Sequence, residues 1–374
     1  MNRPASFNFA EHQRRARRQT MLLVAAFLAI TLVIAAAIGL LAGVMLAAGD
    51  QAGATQQQTT APGPESMSPA SLLEAMDYEV AVIAGLLVLG VILLAAGIRS
   101  LMLGSDGANV AKSLGGKEVT RDSTNPGHRR YFNVVEEIAI AANQPMPRVF
   151  VIKHEQGINA FAAGLRPETA AIGMTHGALA SLDRDELTGV VAHEFAHISN
   201  GDMRLNLRLM AMIFGLVALY VAGRMAMRAT LLRGNRDQRA AMAGMAIGLA
   251  LIVLGGLGMF AGRLLQAGVS RRREYLADAT GAQFTRNPEA LARALKKIGA
   301  LQRGERLGNP HGEEVRHMLF ADGLSLNAAG LTATHPPLVR RIQALDPAFD
   351  PETDPVWSMS QRDMMKQARA GLPR

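Results

Sequence analysis

Cysteine is absent from the 374 residues of the chain. Its absence excludes disulfides, thiolate metal ligands, a cysteine nucleophile and a lipid anchor on cysteine, so any bound metal must be held by histidine and carboxylate side chains. Aromatic residues are also scarce, at 5%, although hydrophobic residues make up 49% of the chain. The mean hydropathy of +0.14 is high for a soluble protein, and the apolar residues are gathered in runs.

Four apolar runs lack any charged residue: 19–49, 80–98, 209–223 and 240–262. They contain no histidine either, so an intramembrane proton or ion relay has little to use, which weakens the alternative of a small transporter. The formal net charge of +8 comes from arginines beside these runs. Such a distribution is typical of membrane flanks, so we expect a lipid bilayer as partner and no nucleic acid.

The first two runs predict transmembrane helices over about residues 20–48 and 79–101, since a spanning helix needs about 20 apolar residues. The first run is far longer than the apolar core of a cleaved signal peptide, which has about 7 to 15 residues. Arginines before the first helix and after the second place the amino terminus and the following domain in the cytoplasm. The polar stretch 50–78 is then an extracytoplasmic loop.

The third and fourth runs predict a hydrophobic helical hairpin over residues 207–263. The third run covers only about 22 Å at the helical rise, less than a membrane core of about 30 Å. The arginine-rich loop 224–239 would lie on the outer face, against the usual charge bias. Two alternatives stay open, namely a pair of true spans or a re-entrant hairpin that does not cross.

The remaining residues predict an α+β domain in two halves, 104–206 and 264–349, followed by a flexible tail, 350–374. A helix over 131–142 is followed by strands over 148–153, 159–165 and 169–174, before the helix described next. A small mixed sheet should hold that helix. The candidate edge for extended peptides to add as a strand is formed by four residues: Asn159, Ala160, Phe161 and Ala162. The alternative is that these residues form an ordinary paired strand.

The strongest motif is the stretch HEFAH, from His193 to His197. On a helix, residues four apart share a face, so both histidines can bind one metal ion while Glu194 projects toward a bound water. A match to HExxH arises by accident in about one such chain in a hundred, so its context matters. Asp183 and Glu186 form a predicted capping box that starts a helix just before the motif.

A third ligand is predicted in the stretch SRRREYLADATGA, residues 270–282. Glu274 can bind the metal, and Asp278, one turn later, can accept a hydrogen bond from a ligand histidine. Two histidines and one glutamate leave the fourth position of a tetrahedral zinc ion open for water, which is the catalytic pattern. One Zn²⁺ per chain is therefore expected, and both halves of the site must lie on one membrane face.

The motifs HEFAHISNGDM, SRRREYLADA and HPPLVRRI, in this order and with apolar segments after the first, resemble those of HtpX-type integral-membrane zinc metalloproteases, relatives of the CaaX-prenyl endopeptidases. NAFAAGL also resembles the strand before the helix in that family. The resemblance implies a zincin-like α+β domain, mostly helical with a small mixed sheet, among about four hydrophobic, largely transmembrane helices.

The resemblance also implies roles for individual residues. His193, His197 and Glu274 are the zinc ligands and Glu194 is the catalytic base, while His335 and Arg341 line the cleft. A cation at either of these last two positions would stabilise an oxyanion; the alternatives are a turn hydrogen bond for His335 and a structural ion pair for Arg341. Asn200 and Asp202 are expected to fix the end of the active helix.

The predicted function is that of a multi-pass endopeptidase of the bacterial cytoplasmic (inner) membrane, with its active site facing the cytoplasm. By resemblance, its substrates are misfolded membrane proteins or peptides, and its role is quality control; partner membrane proteins or a homo-oligomer are left open. The alternative is a membrane adaptor or sensor with a structural zinc site, which needs a fourth protein ligand. His176 and His335 are the candidates for that ligand.

Overall fold

The computed structural model describes residues 9–55, 76–102, 106–232, 238–308 and 335–370, and the secondary structure there is mostly helical. The predicted loop 50–78 lies largely outside the described residues. In chain order the elements are α1 (Phe9–Thr55), α2 (Tyr78–Met102), α3 (Gly107–Ser113), β1 (Gly116–Glu118), α4 (Pro126–Ala141), β2 (Arg148–Ile152), β3 (Ala160–Ala163), β4 (Ala171–Thr175), α5 (His176–Ser181), α6 (Arg184–Asn200), α7 (Asp202–Leu232), α8 (Gln238–Thr285), α9 (Pro288–Gly308), α10 (Leu338–Leu345) and α11 (Gln361–Ala370).

The chain forms two compact units. The apolar unit comprises residues 23–103 and 208–265, and the mixed unit comprises residues 1–22, 104–207 and 266–374. Helices α1, α2, α7 and α8 contain stretches long and apolar enough to cross a membrane: Arg18–Met45, Tyr78–Leu101, Asp202–Leu232 and Gly244–Thr285. The four predicted hydrophobic helices are therefore confirmed as helices.

The third apolar helix is longer than its uncharged run suggests. Helix α7 has 31 residues, which corresponds to about 46 Å, because residues on both sides of the run continue the same helix. Length is thus no objection to a span. Within the apolar unit, α1 and α2 approach closely at Gly39, where a Cβ would lie 2.4 Å from the carbonyl oxygen of Ala81. Small residues allow such close packing between membrane helices.

The mixed unit contains a four-stranded sheet in the order β1-β2-β4-β3. Strands β2 and β4 are parallel, while β1 and β3 pair antiparallel with their neighbours. The predicted small mixed sheet is thus confirmed, with strand ends shifted by one or two residues. Strand β1 was not predicted, because its three residues, GKE, carry two charges and no apolar pattern.

Helix α6, which carries the HEFAH motif, lies in the core of the mixed unit. Leu187, Val191 and Phe195 are fully buried in one hydrophobic cluster with residues of α4, α9 and β4. The predicted capping box is confirmed, with both reciprocal hydrogen bonds present at the start of the helix. The helix ends at Asn200 and is capped by Gly201, whose φ of 67° is a left-handed conformation that glycine adopts without strain.

The carboxyl-terminal segment differs from the predicted flexible tail. Trp357 is only 3% exposed and Met364 is fully buried. A Cβ at Gly299 of α9 would lie 2.1 Å from the Trp357 ring, so the indole packs directly on the helix backbone. Lys296 of α9 also donates hydrogen bonds to Asp354 and to a second aspartate. A lone tryptophan among polar residues has no periodic pattern that reveals such packing.

Candidate metal centre

The structure brings together the three predicted metal ligands. His193 and His197 lie one turn apart on α6, and Glu274 comes from the second half of α8. The Nε2 atoms of the two histidines are 3.1 Å apart, and each lies 3.6 to 3.7 Å from a carboxylate oxygen of Glu274. One ligand atom from each residue falls within 4.8 Å of the others. They converge on a single point.

Each histidine is oriented by a carboxylate on its other nitrogen. The Nδ1 atom of His193 is 2.9 Å from Oδ1 of Asp278. The Nδ1 atom of His197 is 2.8 Å from Oδ2 of Asp202. A carboxylate at Nδ1 favours the tautomer that carries its proton there and leaves Nε2 as an acceptor.

These tautomers make the site fit a metal cation. Two unprotonated Nε2 atoms, 3.1 Å apart, then face each other and the carboxylate of Glu274, which is unfavourable unless a proton or a metal cation lies among them. The charges around His197 also favour a cation at this point. Burial opposes protonation of His197, yet the hydrogen bond to Asp202 and the charge of Glu274 raise its pKa to about 9. The same negative charges that attract a proton to this point favour a bound metal ion, and nitrogen and oxygen ligands of this kind suit zinc.

Arg341 lies beneath the ligands, not in an open cleft. Its side chain is fully buried. The guanidinium donates to both oxygens of Asp278, at 2.9 and 2.7 Å, and its Nη1 lies 2.8 Å from Glu274. The charges of these carboxylates outweigh the effect of burial and raise the pKa of Arg341. The structure therefore favours the structural ion pair over the predicted contact with an oxyanion.

Glu194 differs from the three ligand residues in its hydrogen bonding. The residue is 3% exposed, and its Oε1 atom makes no hydrogen bond to any residue that the structure describes. Burial raises the pKa of its carboxyl group, while the two ligand histidines act in the opposite direction. A buried carboxylate with a raised pKa and a free acceptor atom suits proton transfer to and from a bound molecule.

The other predicted residues lie at different distances from this centre. His335 precedes α10, and its Nδ1 is 3.2 Å from Oε1 of Glu274. His176, the other candidate fourth ligand, is exposed at the start of α5 and does not belong to the ligand group. Strand β3 with Ala160 and Ala162 forms an edge of the sheet and packs against α6.

Asp202 is the functional residue that sequence reasoning missed. The prediction placed it at the end of the active helix without assigning it chemistry. The left-handed turn at Gly201 starts α7 directly behind α6, and so brings Asp202 back to His197. The available signal was an acidic residue just after a glycine that ends the ligand helix.

Two histidines and a distal glutamate that converge beside a buried glutamate, in a chain with four long apolar helices, are the features of a membrane metalloprotease. Comparisons with known proteins agree. Residues 128–348 match Peptidase family M48, and the chain belongs to this family.

Its relatives include several proteins named "Protease HtpX homolog". The one from Syntrophobacter fumaroxidans is 40% identical over 215 residues, which cover 57% of this chain and 74% of the relative. The one from Desulforapulum autotrophicum is 36% identical over 273 residues, 71% of this chain and 82% of the relative. Among solved structures, S. mikatae Ste24p is 19% identical, with a TM-score of 0.41 over 72% of this chain and 58% of that chain.

Proposed function

We propose that the protein is a zinc-dependent endopeptidase of the bacterial inner membrane that hydrolyses peptide bonds in misfolded membrane proteins. The observation that carries this proposal is the convergence of His193, His197 and Glu274 within 4.8 Å, with Glu194 beside them and its Oε1 atom unbonded among the described residues. Such a centre offers three protein ligands and a separate proton acceptor, which is the composition of a catalytic zinc site.

The chain's own residues provide proton transfer and orientation. Zinc, when bound, polarises the scissile carbonyl and lowers the pKa of water in its open position. Glu194 accepts the proton of the attacking water and then donates it to the leaving nitrogen. Its raised pKa supports both steps, because a carboxyl group with a pKa nearer to neutrality both accepts and releases a proton readily. Asp278 holds His193 in the tautomer that binds metal.

An extended substrate would pair with strand β3. The carbonyl of Asn159 accepts a hydrogen bond from Thr175 of β4. Because inward and outward backbone groups alternate in an antiparallel strand, the N–H and C=O groups of Ala160 and Ala162 point to the outer edge. Main-chain pairing of this kind binds peptides with little dependence on sequence, which suits a protease that acts on many unfolded proteins.

The chain path and the positions of the arginines support a cytoplasmic orientation of the site. Asp202 at the start of α7 and Glu274 in α8 belong to one site, so the two apolar segments between them either both cross the membrane or both fail to cross it. Arg14 and Arg18 precede the first uncharged run, 19–49, and Arg99 follows the second, 80–98. With basic residues favouring the cytoplasmic side, the site faces the cytoplasm, where misfolded segments of membrane proteins are exposed.

The decisive test compares the purified full-length protein with Glu194→Gln on a misfolded membrane substrate, while zinc content is measured for both. We expect zinc content to be unchanged and hydrolysis to fall by a factor of about 10² to 10⁴, the usual contribution of a general base. Equal hydrolysis by the two proteins would refute the mechanism. A zinc-loaded wild type that cleaves no substrate would instead support the adaptor, for which His335 is the nearest candidate fourth ligand.

The binding edge is tested separately by Ala162→Pro. Proline is tolerated where an edge-strand N–H faces outward, so the fold should persist while one substrate hydrogen bond is lost. We expect KM to rise several-fold with kcat near the wild-type value. The matched variant Phe161→Pro removes an N–H that faces β4 and should lower the melting temperature instead. An unchanged KM for Ala162→Pro would exclude strand addition at β3.

A further inference from the structure

Asp202 occupies an unusual position between a metal ligand and an apolar helix. It is the first residue of α7, and it is only 8% exposed although it is charged. Its Oδ2 atom lies 2.8 Å from Nδ1 of His197. We propose that Asp202 is a positioning residue that fixes the ring of His197 for zinc binding. This inference rests on the proposed zinc function and adds a residue to it.

The carboxylate of Asp202 is itself held on its second oxygen. The Nη1 atom of Arg273 lies 2.9 Å from Oδ1 of Asp202 and 3.5 Å from the carbonyl oxygen of Asn200. Since Arg273 directly precedes the ligand Glu274, one turn of α8 supplies both a metal ligand and the cation that steadies Asp202. With one oxygen at the ring and the other at the guanidinium, the carboxylate has little freedom to rotate.

The same arrangement occurs at the other histidine. There Asp278 contacts Nδ1 of His193 and is bound by Arg341. Two sets of contacts, Arg273–Asp202–His197 and Arg341–Asp278–His193, therefore lead to the metal site. In each set the carboxylate contacts Nδ1 of the ligand histidine. The repetition indicates that Asp202 does more than start α7, because a residue that only favoured the helix terminus would need no partner on α6 or α8.

His197 depends on its carboxylate more than His193 does. The side chain of His193 is fully buried, and the surrounding core restricts its ring. The side chain of His197 is 16% exposed, so its ring is less restricted by packing. Loss of Asp202 should therefore allow other ring orientations and weaken zinc binding without unfolding the unit. Partners of this kind change metal affinity by about 10- to 100-fold.

The test measures Zn²⁺ affinity of the full-length protein by competition with a chromophoric chelator, together with the melting temperature of the metal-free protein. Asp202→Ser keeps a residue type that is favoured at helix starts, but its hydroxyl is too short to reach His197. Asp202→Asn keeps an acceptor for the Nδ1 proton. Asp185→Ser is the matched control, because Asp185 lies in the first turn of α6 with 68% of its side chain exposed.

We expect Asp202→Ser to bind Zn²⁺ about 10- to 100-fold more weakly. The metal-free forms of Asp202→Ser and Asp202→Asn should both melt earlier, because both lose the ion pair with Arg273. Asp202→Asn should recover most of the affinity, and Asp185→Ser should match the wild type. The inference is overturned if Asp202→Ser binds Zn²⁺ within twofold of the wild type. It is also overturned if Asp202→Ser and Asp202→Asn bind Zn²⁺ equally weakly, which would indicate a purely structural role. A wild type that binds no Zn²⁺ would refute the proposed function itself.

Discussion

A close contact between α8 and α6 near the metal centre gives a specific prediction for Gly281→Ala. Gly281 lies on α8, one turn after Asp278 and two turns after Glu274. A Cβ at this position would lie 3.0 Å from the backbone nitrogen of His193 and 3.1 Å from the carbonyl carbon of Ala192. Both are atoms of a buried helix backbone, so no flexible side chain can move aside. The substitution must therefore separate α8 from α6.

The size of the effect follows from these distances. Ordinary Cβ contacts begin at 3.4 Å, so the helices must separate locally by at least about 0.4 Å. Overpacking of this kind costs about 1 to 3 kcal/mol, and the higher helix propensity of alanine offsets about 0.5 to 1 kcal/mol. The net loss of stability is thus modest. Metal ligands, by contrast, tolerate displacements of only about 0.2 Å, so zinc affinity should fall at least about tenfold.

Competition with a chromophoric chelator measures the affinity, and thermal unfolding of the metal-free protein measures the stability. Gly299→Ala is the matched variant, because its Cβ on α9 would lie 2.1 Å from the Trp357 ring, and neither element supplies any of the three ligands. We expect both variants to be destabilised but only Gly281→Ala to lose zinc strongly. Wild-type zinc affinity in Gly281→Ala would refute the claim that this contact sets the ligand distance.

Three further predictions concern ion pairs that are buried or partly buried. Arg341→Met leaves two buried carboxylates without their cation, so the metal-free protein should lose about 3 to 5 kcal/mol, and added Zn²⁺ should restore part of that loss in chemical denaturation. Lys297→Met should cost a similar amount, because the Lys297 ammonium lies 2.7 Å from the buried carboxylate of Glu186, and the additional change Glu186→Gln should recover part of it. Burial opposes ionisation of Asp354, but its hydrogen bond from Lys296 lowers its pKa. The stability from this pair is therefore complete above about pH 4, the ordinary aspartate value, and is lost as pH falls through the lowered pKa, which Trp357 fluorescence should report as a shift to longer wavelength.

Each of these three predictions would be refuted by a specific result. Denaturation of Arg341→Met that does not respond to Zn²⁺ would separate the ion pair from the metal site. A double variant no more stable than Lys297→Met would show that an unpaired carboxylate is not the source of the loss. An Asp354→Asn variant should show the longer-wavelength emission already at neutral pH; wild-type emission would exclude the pair as the attachment of this segment.

Local patterns predicted much of the fold. The capping box and the apolar periodicity of α6 depend only on residues within one helix, as do the long apolar runs of α1 and α2. Asn143, whose φ of 50° is left-handed, also follows the end of α4 where an asparagine and a proline indicated a stop. These features require no knowledge of distant contacts. Helix spacing likewise predicted that Glu274 and Asp278 share a face.

The features that could not be predicted depend on tertiary contacts. Arg341 carries the same charge whether it faces a cleft or a pair of buried carboxylates, and only the packing of α10 decides between them. The contact between Asp202 and His197 depends on a left-handed turn at Gly201 that redirects the chain. Trp357 gave no periodic signal, because its packing partner is a glycine on α9. In each case, the deciding atoms lie far away in sequence or depend on a single backbone angle.

The placement of Asp202 and Glu274 on α7 and α8 has a practical consequence. Both helices also contain the third and fourth apolar segments, so the elements that complete the metal centre are the ends of the apolar helices themselves. A water-soluble fragment made by deleting residues 208–265 would have to rejoin two helices within about two turns of residues that contact the ligands. Protein engineers seeking a soluble form should therefore replace the outward-facing apolar side chains and keep both helices continuous.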